Sequence, residues 1–412
     1  MNILIIASVW PEPTSSAAGR RMMDLLTLFV RQGWAITYAC TAAESPYRHP
    51  IESLGIKIAT VVINNSSFDS FIHDLSPDLV LYDRLMLEEQ FSWRVEKQCP
   101  QAITMLETSD LHCLRYARQD ALKKGRPFSA DDLNSEMAYR EIASIQRSDL
   151  TLVISGYEME LLTRVFKVDL SLIHHFPFIV ELSRLEENKK NWPTYEAREG
   201  FMCIGNFKHA PNWDSVQYLK QEIWPRIRQR LPQANLYIYG AYPPPKALQL
   251  NKPAEGFYIK GRAESAQEVM QSARVCLAPL RFGAGLKGKL LEAMECGTPS
   301  VTTTIGAEAM HGELPWNGAI SDEPDKIAEA AVALYENKAR WQDEQQKGLD
   351  ILRHCFNAED FEQVLINKIL SLQADLTAHR RQNFQGAMLR HHLLRSSKYM
   401  SLWIEEKNKG TE

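Results

Sequence analysis

Short apolar runs alternate along the chain with longer stretches in which apolar residues recur every three or four positions. That pattern predicts strands and helices in alternation, and hence parallel α/β sheets. In the first half the runs cover residues 3–7, 35–40, 56–62, 79–82, 102–106, 150–154 and 172–174. They are continuously apolar, as strands covered by helices on both faces should be. Between the first two, Met22, Leu25, Leu26, Phe29 and Val30 share one face of a helix over residues 18–32, which Gly33 ends.

The pattern lapses over residues 176–199, where Pro177, Pro193 and the polar run Glu186 to Asn191 leave no periodic apolar face. This stretch reads as a linker. A second strand series follows at 201–204, 236–239, 257–259, 275–278 and 300–303, and Pro225 predicts a kink or stop near Trp224. After Asp322 the chain reads as helical. The division is therefore a Rossmann-like domain over 1–175, the linker, a second Rossmann-like domain over 200–375, and a helical extension over 376–412. Two such units face a central cleft, and open α/β sheets bind ligands at the carboxyl ends of their strands. Within the extension Phe384, Met388, Leu389, Leu393, Leu394, Tyr399, Leu402 and Trp403 stand among Arg and Lys. A membrane-surface helix and a helix packed back on the first domain are both readings of that mixture.

At 412 residues the chain exceeds what one core organises, and 45% hydrophobic with 24% charged residues is the balance of a globular protein. A net charge of -4 supplies no global basic field for nucleic acid. The seven cysteines are scattered and never in a C-x-x-C pair, so a reducing cytoplasmic setting fits better than a disulfide framework or a zinc site. The apolar start, cut off by Trp10, Pro11 and Pro13 and lacking a basic lead, reads as a first strand and not as a signal peptide.

Chemistry concentrates in the segment from Pro279 to Pro299, which follows an apolar strand and enters a helix ended by Gly297. Gly283, Gly285 and Gly288 let a ligand approach the backbone, and a helix N-terminus with Lys287 and Lys289 beside it suits an anion such as a diphosphate. Glu292 lies about 7 Å further along the helix, the distance from a diphosphate to a ribose whose hydroxyls a carboxylate accepts. A glycine-rich turn with solvated lysines is the plain alternative. The acidic pair Asp131-Asp132, beside Ser129, reads as a helix start and not as a metal site.

The segment resembles the signature of family 4 of the retaining glycosyltransferases, which have the GT-B fold: Glu292-Ala293-Met294 is followed by Gly297, Pro299 and Val301, then by Gly306-Ala307-Glu308. The resemblance spans most of residues 200–310 and continues more weakly through the first domain. It implies an acceptor domain followed by a donor domain. Glu292 then holds the donor ribose as the second glutamate of an E-x7-E pair whose first position is here Ala284. Backbone N–H groups of Gly283, Ala284, Gly285 and Leu286 would take over that lost contact. At Gly205-Asn206-Phe207-Lys208 the usual arginine is replaced by Asn206, so Lys208, Lys287 and Lys289 are the candidate cations, with Lys287 favoured. Gly19 matches a glycine loop of the first domain, and His112 matches a histidine near the donor sugar, with Asp110 as the alternative contact. Asp83-Arg84 is similarly placed, with an internal ion pair as its simpler use.

The expected activity is metal-independent transfer of a sugar from a nucleoside diphosphate donor to a hydroxyl of a glycan or glycolipid, in the cytoplasm or at the inner face of the membrane. No cofactor is expected, the sugar nucleotide being substrate. His112, Lys287 and Glu292 are the residues expected to serve the reaction, with Gly19, Gly205 and Lys208 among the donor contacts. Two rivals keep the fold: a nucleotide-sugar epimerase, and a nucleotide-sugar-binding protein without catalysis.

Overall fold

The computed structural model describes residues 1–409, with the backbone alone at 392–395. Leu393 and Leu394, counted above in the last helix, therefore have side chains outside the described residues, as do 410–412 of the extension.

Two parallel sheets form two lobes. The first takes β1 (Asn2–Ala7), β2 (Ala35–Cys40), β3 (Lys57–Thr60), β4 (Leu79–Asp83), β5 (Ile103–Glu107), β6 (Leu150–Val153) and β7 (Ile173–His175) in the order β3-β2-β1-β4-β5-β6-β7. The second takes β8 (Phe201–Ile204), β9 (Leu236–Tyr239), β10 (Phe257–Gly261), β11 (Val275–Ala278), β12 (Ser300–Thr302) and β13 (Gly318–Ile320) in the order β10-β9-β8-β11-β12-β13. Every pairing is parallel; β8 meets β11 with Phe201 opposite Val275 and Met202 opposite Cys276. The chain thus reverses its direction of travel across each sheet once, between β1 and β4 and between β8 and β11. Such switch points splay the neighbouring loops apart and open the ligand crevice.

Most apolar runs become fully buried strands: β1, β4 and β6 bury nearly every residue. Two elements differ from the sequence reading. β3 is shorter than its run and lies at the sheet edge with three of its four residues exposed, so it is not covered on both faces. β13, only three residues long and beginning at glycine, carries too little apolar signal to be predicted.

The helix Ala210–Tyr218 runs into a π-helical turn, Leu219–Ile223, and continues as Trp224–Arg230. Pro225 is accommodated by that wider turn instead of ending the helix. The stretch read as a bare linker contains a helix, Leu182–Lys189, anchored by buried Leu185. The return crossing also comes earlier than residue 376. The helix Ala358–Ala374 belongs to the first lobe, where Leu365, Ile366, Ile369 and Leu372 share a core with Ile3, Leu25 and Phe29. The two crossings run side by side: Val180 N–H donates to Phe356 O at 2.7 Å, and Ala358 N–H to Val180 O at 3.0 Å.

The last helix, Phe384–Lys409, packs across the helices Leu85–Gln98 and Glu136–Arg147 of the first lobe. Buried Glu405 and Asp69 share the Arg94 guanidinium there. Its outer face leaves Phe384, Met388, Tyr399 and Trp403 exposed. Among the described residues no helix is long and apolar enough to cross a membrane.

Candidate active site

The second lobe's switch point brings two loops together, one after β8 (205–209) and one after β11 (279–287). Gly205 has no room for a side chain: a Cβ would lie 2.6 Å from the Asn212 side chain and 2.7 Å from Lys289 Nζ. Asn206 shapes the turn, its Oδ1 accepting from Lys208 N–H (2.9 Å) and its carbonyl from Asn212 Nδ2 (3.0 Å). Lys289 Nζ donates to Asn212 Oδ1 at 2.7 Å, which holds the ammonium against this turn. Burial lowers its pKa from the ordinary lysine value.

Lys287, the cation favoured from sequence, is turned the other way. It is 7% exposed, and its Nζ donates to the carbonyls of Gly285 (2.6 Å) and Ala284 (3.3 Å), bracing the loop from inside. Burial brings its pKa down to about 8 against the opposing pull of Glu308. Lys208 lies across the Tyr242 ring, Nζ 3.7 Å from its centroid, while the Tyr242 hydroxyl reaches Glu12 of the first lobe at 3.2 Å. Of the three candidate cations, the structure places Lys289 beside the Gly205 turn.

The glycines of the β11 loop serve contact between the lobes. A Cβ on Gly285, whose φ is +60°, would come within 2.9 Å of Asp110 Cβ, and one on Gly288 within 2.7 Å of Ala17 Cβ. Gly285 N–H donates at 2.8 Å to Glu158 Oε1, a carboxylate oxygen that also accepts from Leu111 N–H at 2.9 Å. This backbone group is therefore already engaged, which removes it from the set expected to face a donor. Gly283 carries a φ of +155°, its carbonyl taken by Arg118 at 2.9 Å. Ala284 is buried against apolar residues of the first lobe, and Leu286 against Phe178 and Leu290. Neither side chain lines an open site. Glu158 was not singled out from sequence; its place becomes visible only when the lobes meet. Wholly buried, it has its pKa pushed up to about 8, and its Oε2 lacks a hydrogen-bond partner.

Glu292 sits one turn beyond Lys289, partly exposed, with Arg20 Nη1 3.9 Å from its Oε1. Burial raises its pKa to about 7, Arg20 and Lys289 opposing. Arg20 itself grips Glu295 with two hydrogen bonds of 2.5 and 2.9 Å. Gly19 lies in the first turn of the helix Ala17–Arg31, and any Cβ there would meet the Glu12 carbonyl at 2.5 Å. It thus lets the β1 loop fold tightly over the helix start.

Across the crevice, the loop after β5 presents Asp110 and His112. Asp110 does not cap the following helix; it accepts from Arg115 Nε at 2.8 Å and stands 3.6 Å from His112 Nε2. Burial would raise the Asp110 pKa, but Arg115, His112 and His209 hold it below the usual carboxylate range. Burial brings His112 down to about 4, Asp110 opposing. The His112 and Cys113 N–H groups donate to Glu141, at 2.9 and 2.8 Å. Asp83 and Arg84 form the expected internal pair at 3.3 Å, and Asp132 closes a capping box with Ser129.

His209 is the crevice residue that sequence reasoning missed. It is exposed, holds the N-cap position of the helix Ala210–Tyr218 without a side-chain cap bond, and feels the charges of Asp110, Arg115, Lys289 and Lys287. Pro211 in the first helical turn was the available signal, because it places the preceding residues at the carboxyl end of β8. Among the described residues no cluster of His, Cys, Asp and Glu is arranged to hold a metal ion.

Two facing Rossmann-like lobes, each with its own switch point, make up the GT-B fold. Within it, residues 198–337 match the family described as Glycosyl transferases group 1, which makes the second lobe a domain of that family. The chain is similar in structure to sucrose-phosphate synthase from Thermosynechococcus elongatus, at 15% identity over 91% of this chain and 100% of that one, with a TM-score of 0.66. It is similar to HepE of Anabaena in complex with UDP and glucose, at 12% identity over 90% and 100% of the two chains, with a TM-score of 0.66. A glycosyltransferase from Rickettsia africae matches at 10% identity over 90% and 98%, with a TM-score of 0.63. Identities this low carry the fold. No curated protein matches the sequence.

Proposed function

We propose that the chain transfers a sugar, with retention of anomeric configuration, from a nucleoside diphosphate donor to a hydroxyl of a glycan or glycolipid. One observation carries the reading: Lys289 held against the Gly205 turn at the switch point, with Glu292 one helical turn beyond. A diphosphate seated there has a fixed cation at its departing oxygen, and a ribose seated further along has a carboxylate to accept its hydroxyls. Charge grows on the leaving diphosphate as the anomeric bond breaks, and preorganised cations in a crevice stabilise that charge strongly. Asp110 and His112 lie opposite, where the sugar and the acceptor would meet. The departing phosphate oxygen takes the acceptor's proton, so the reaction needs no side-chain base and no divalent metal. Closed lobes keep water from the donor.

HepE was solved with UDP and with glucose, which makes uridine donors the first to try. The exposed Phe384, Tyr399 and Trp403, with Lys398 nearby, support peripheral contact with a membrane carrying the acceptor; sedimentation with anionic vesicles tests it. For the reaction itself, labelled sugar nucleotides are incubated with hydroxyl acceptors, with and without a chelator, and the product anomer is read by NMR. Acceptor-dependent transfer with the donor's configuration, unaffected by chelation, is expected. Donor binding without turnover would identify a binding protein instead, and donor conversion without acceptor an epimerase.

A further inference from the structure

One crevice side chain has no task in the reaction just described. The main chain of His209 is fixed on both sides: its N–H donates to Asn206 O at 3.2 Å, and its carbonyl accepts from Asn212 N–H at 3.0 Å and Trp213 N–H at 3.3 Å. Its ring is exposed to the crevice, and among the described residues neither ring nitrogen has a hydrogen-bond partner. Four charged groups act on it electrostatically. Asp110 and Arg115 come from the first lobe, Lys287 and Lys289 from the β11 loop and the helix after it. Three of the four are cations, and Lys289 is tied to the same turn through Asn212, whose Oδ1 it reaches at 2.7 Å. The partner this arrangement lacks is an anion lying among His209, Lys289 and Arg115.

We propose that His209 is a proton-switched ligand of the donor's diphosphate, neutral in the empty crevice and protonated when the diphosphate sits between it and Lys289. This rests on the donor reading above and assigns it a further binding residue. The titration behaviour agrees. Although water reaches the ring, the protein on both sides of the crevice desolvates the imidazole and pulls its pKa down, Asp110 opposing and Arg115, Lys289 and Lys287 adding to the fall. Two phosphate charges close by reverse that balance, because a nearby opposite charge favours the ionised form. The ring then takes one proton from solvent on binding. It donates a charge-assisted hydrogen bond to the phosphate oxygen that gains charge as the sugar departs.

The test is calorimetric titration of the wild type, His209→Gln and His209→Lys with UDP-glucose and GDP-mannose, at about pH 6 and about pH 8, in buffers of different ionisation enthalpy. The diphosphate of a sugar nucleotide is doubly esterified and does not itself titrate in that window, so bound protons report the protein. The wild type should take up protons and bind more tightly than His209→Gln by about fivefold or more at the lower pH, the gap shrinking to about twofold at the higher. His209→Lys should hold its affinity without the histidine's proton uptake. A His209→Gln variant with wild-type affinity and wild-type proton uptake at both pH values overturns the proposal while leaving the donor reading standing. A wild type that binds neither sugar nucleotide overturns the donor reading, and this inference falls with it.

Discussion

Glu292 and Lys289 show how much a single position gains from its neighbours. On the helix Gly288–Glu295 they stand three residues apart, Lys289 reaching Asn212 beside the Gly205 turn and Glu292 lying 3.9 Å from the first lobe's Arg20. Replacing Glu292 with Ala removes the ribose acceptor and should weaken nucleotide binding by about tenfold, read by calorimetry. Lys289→Met should lower kcat/KM by about a hundredfold or more, the scale of one lost transition-state contact. Lys287→Met should act mainly on thermal stability, since its ammonium braces the carbonyls of Ala284 and Gly285. Kinetics and melting of the two lysine variants side by side separate these roles. Sequence marked Glu292 and the glycine loop because both are local signals: a strand, a turn and a helix start in one stretch. It ranked Lys287 first, whereas the directions of the side chains are set by Asn212 on another helix, which holds Lys289, and by the loop's own carbonyls, which hold Lys287. His209 and Glu158 stayed hidden for a related reason, their importance arising from groups on the opposite lobe.

At the level of elements, parallel strands announce themselves when both faces are covered, as β1, β4 and β6 are. Edge strand β3 and the three-residue β13 lack that covering or that length, and were misjudged or missed. The return crossing was misplaced because a helix's apolar face does not say which lobe it covers. The face of Ala358–Ala374 completes the first lobe's core, beside Ile3 and Phe29. A chain ending at residue 356 would therefore expose Leu25, Phe29 and their neighbours. It should be recovered as aggregate, whereas ending the chain at 409, which keeps the last helix on the first lobe, should preserve a soluble, cooperatively melting protein. Size-exclusion chromatography of the two truncations checks this.

Over the whole molecule, the lobes are held together by contacts that cross the crevice: Arg118 to Glu308 at 2.9 and 2.6 Å, Arg20 to Glu295, and Glu158 to Gly285 N–H. Removing one partner of a buried pair leaves the other charge uncompensated. Arg118→Ala should cost about 3 kcal/mol of closure and enlarge the radius of gyration measured by small-angle X-ray scattering. Glu158 gives this closure a pH dependence with a definite sign. Its carboxyl titrates near 4.5 when exposed and at about 8 in the folded chain, so between those values the folded state keeps a proton that the unfolded state loses. Its contribution to stability is therefore fullest below that window, declines as pH rises through it, and is constant above. Glu158→Gln should flatten that part of the melting-temperature profile relative to the wild type.

Hydrogen–deuterium exchange with and without a bound nucleoside diphosphate tests the donor cradle most directly. Slowed exchange should appear in two separate stretches, 205–212 and 283–292, where the loops after β8 and β11 converge. Protection confined to other parts of the chain, with both stretches exchanging as before, would contradict the account.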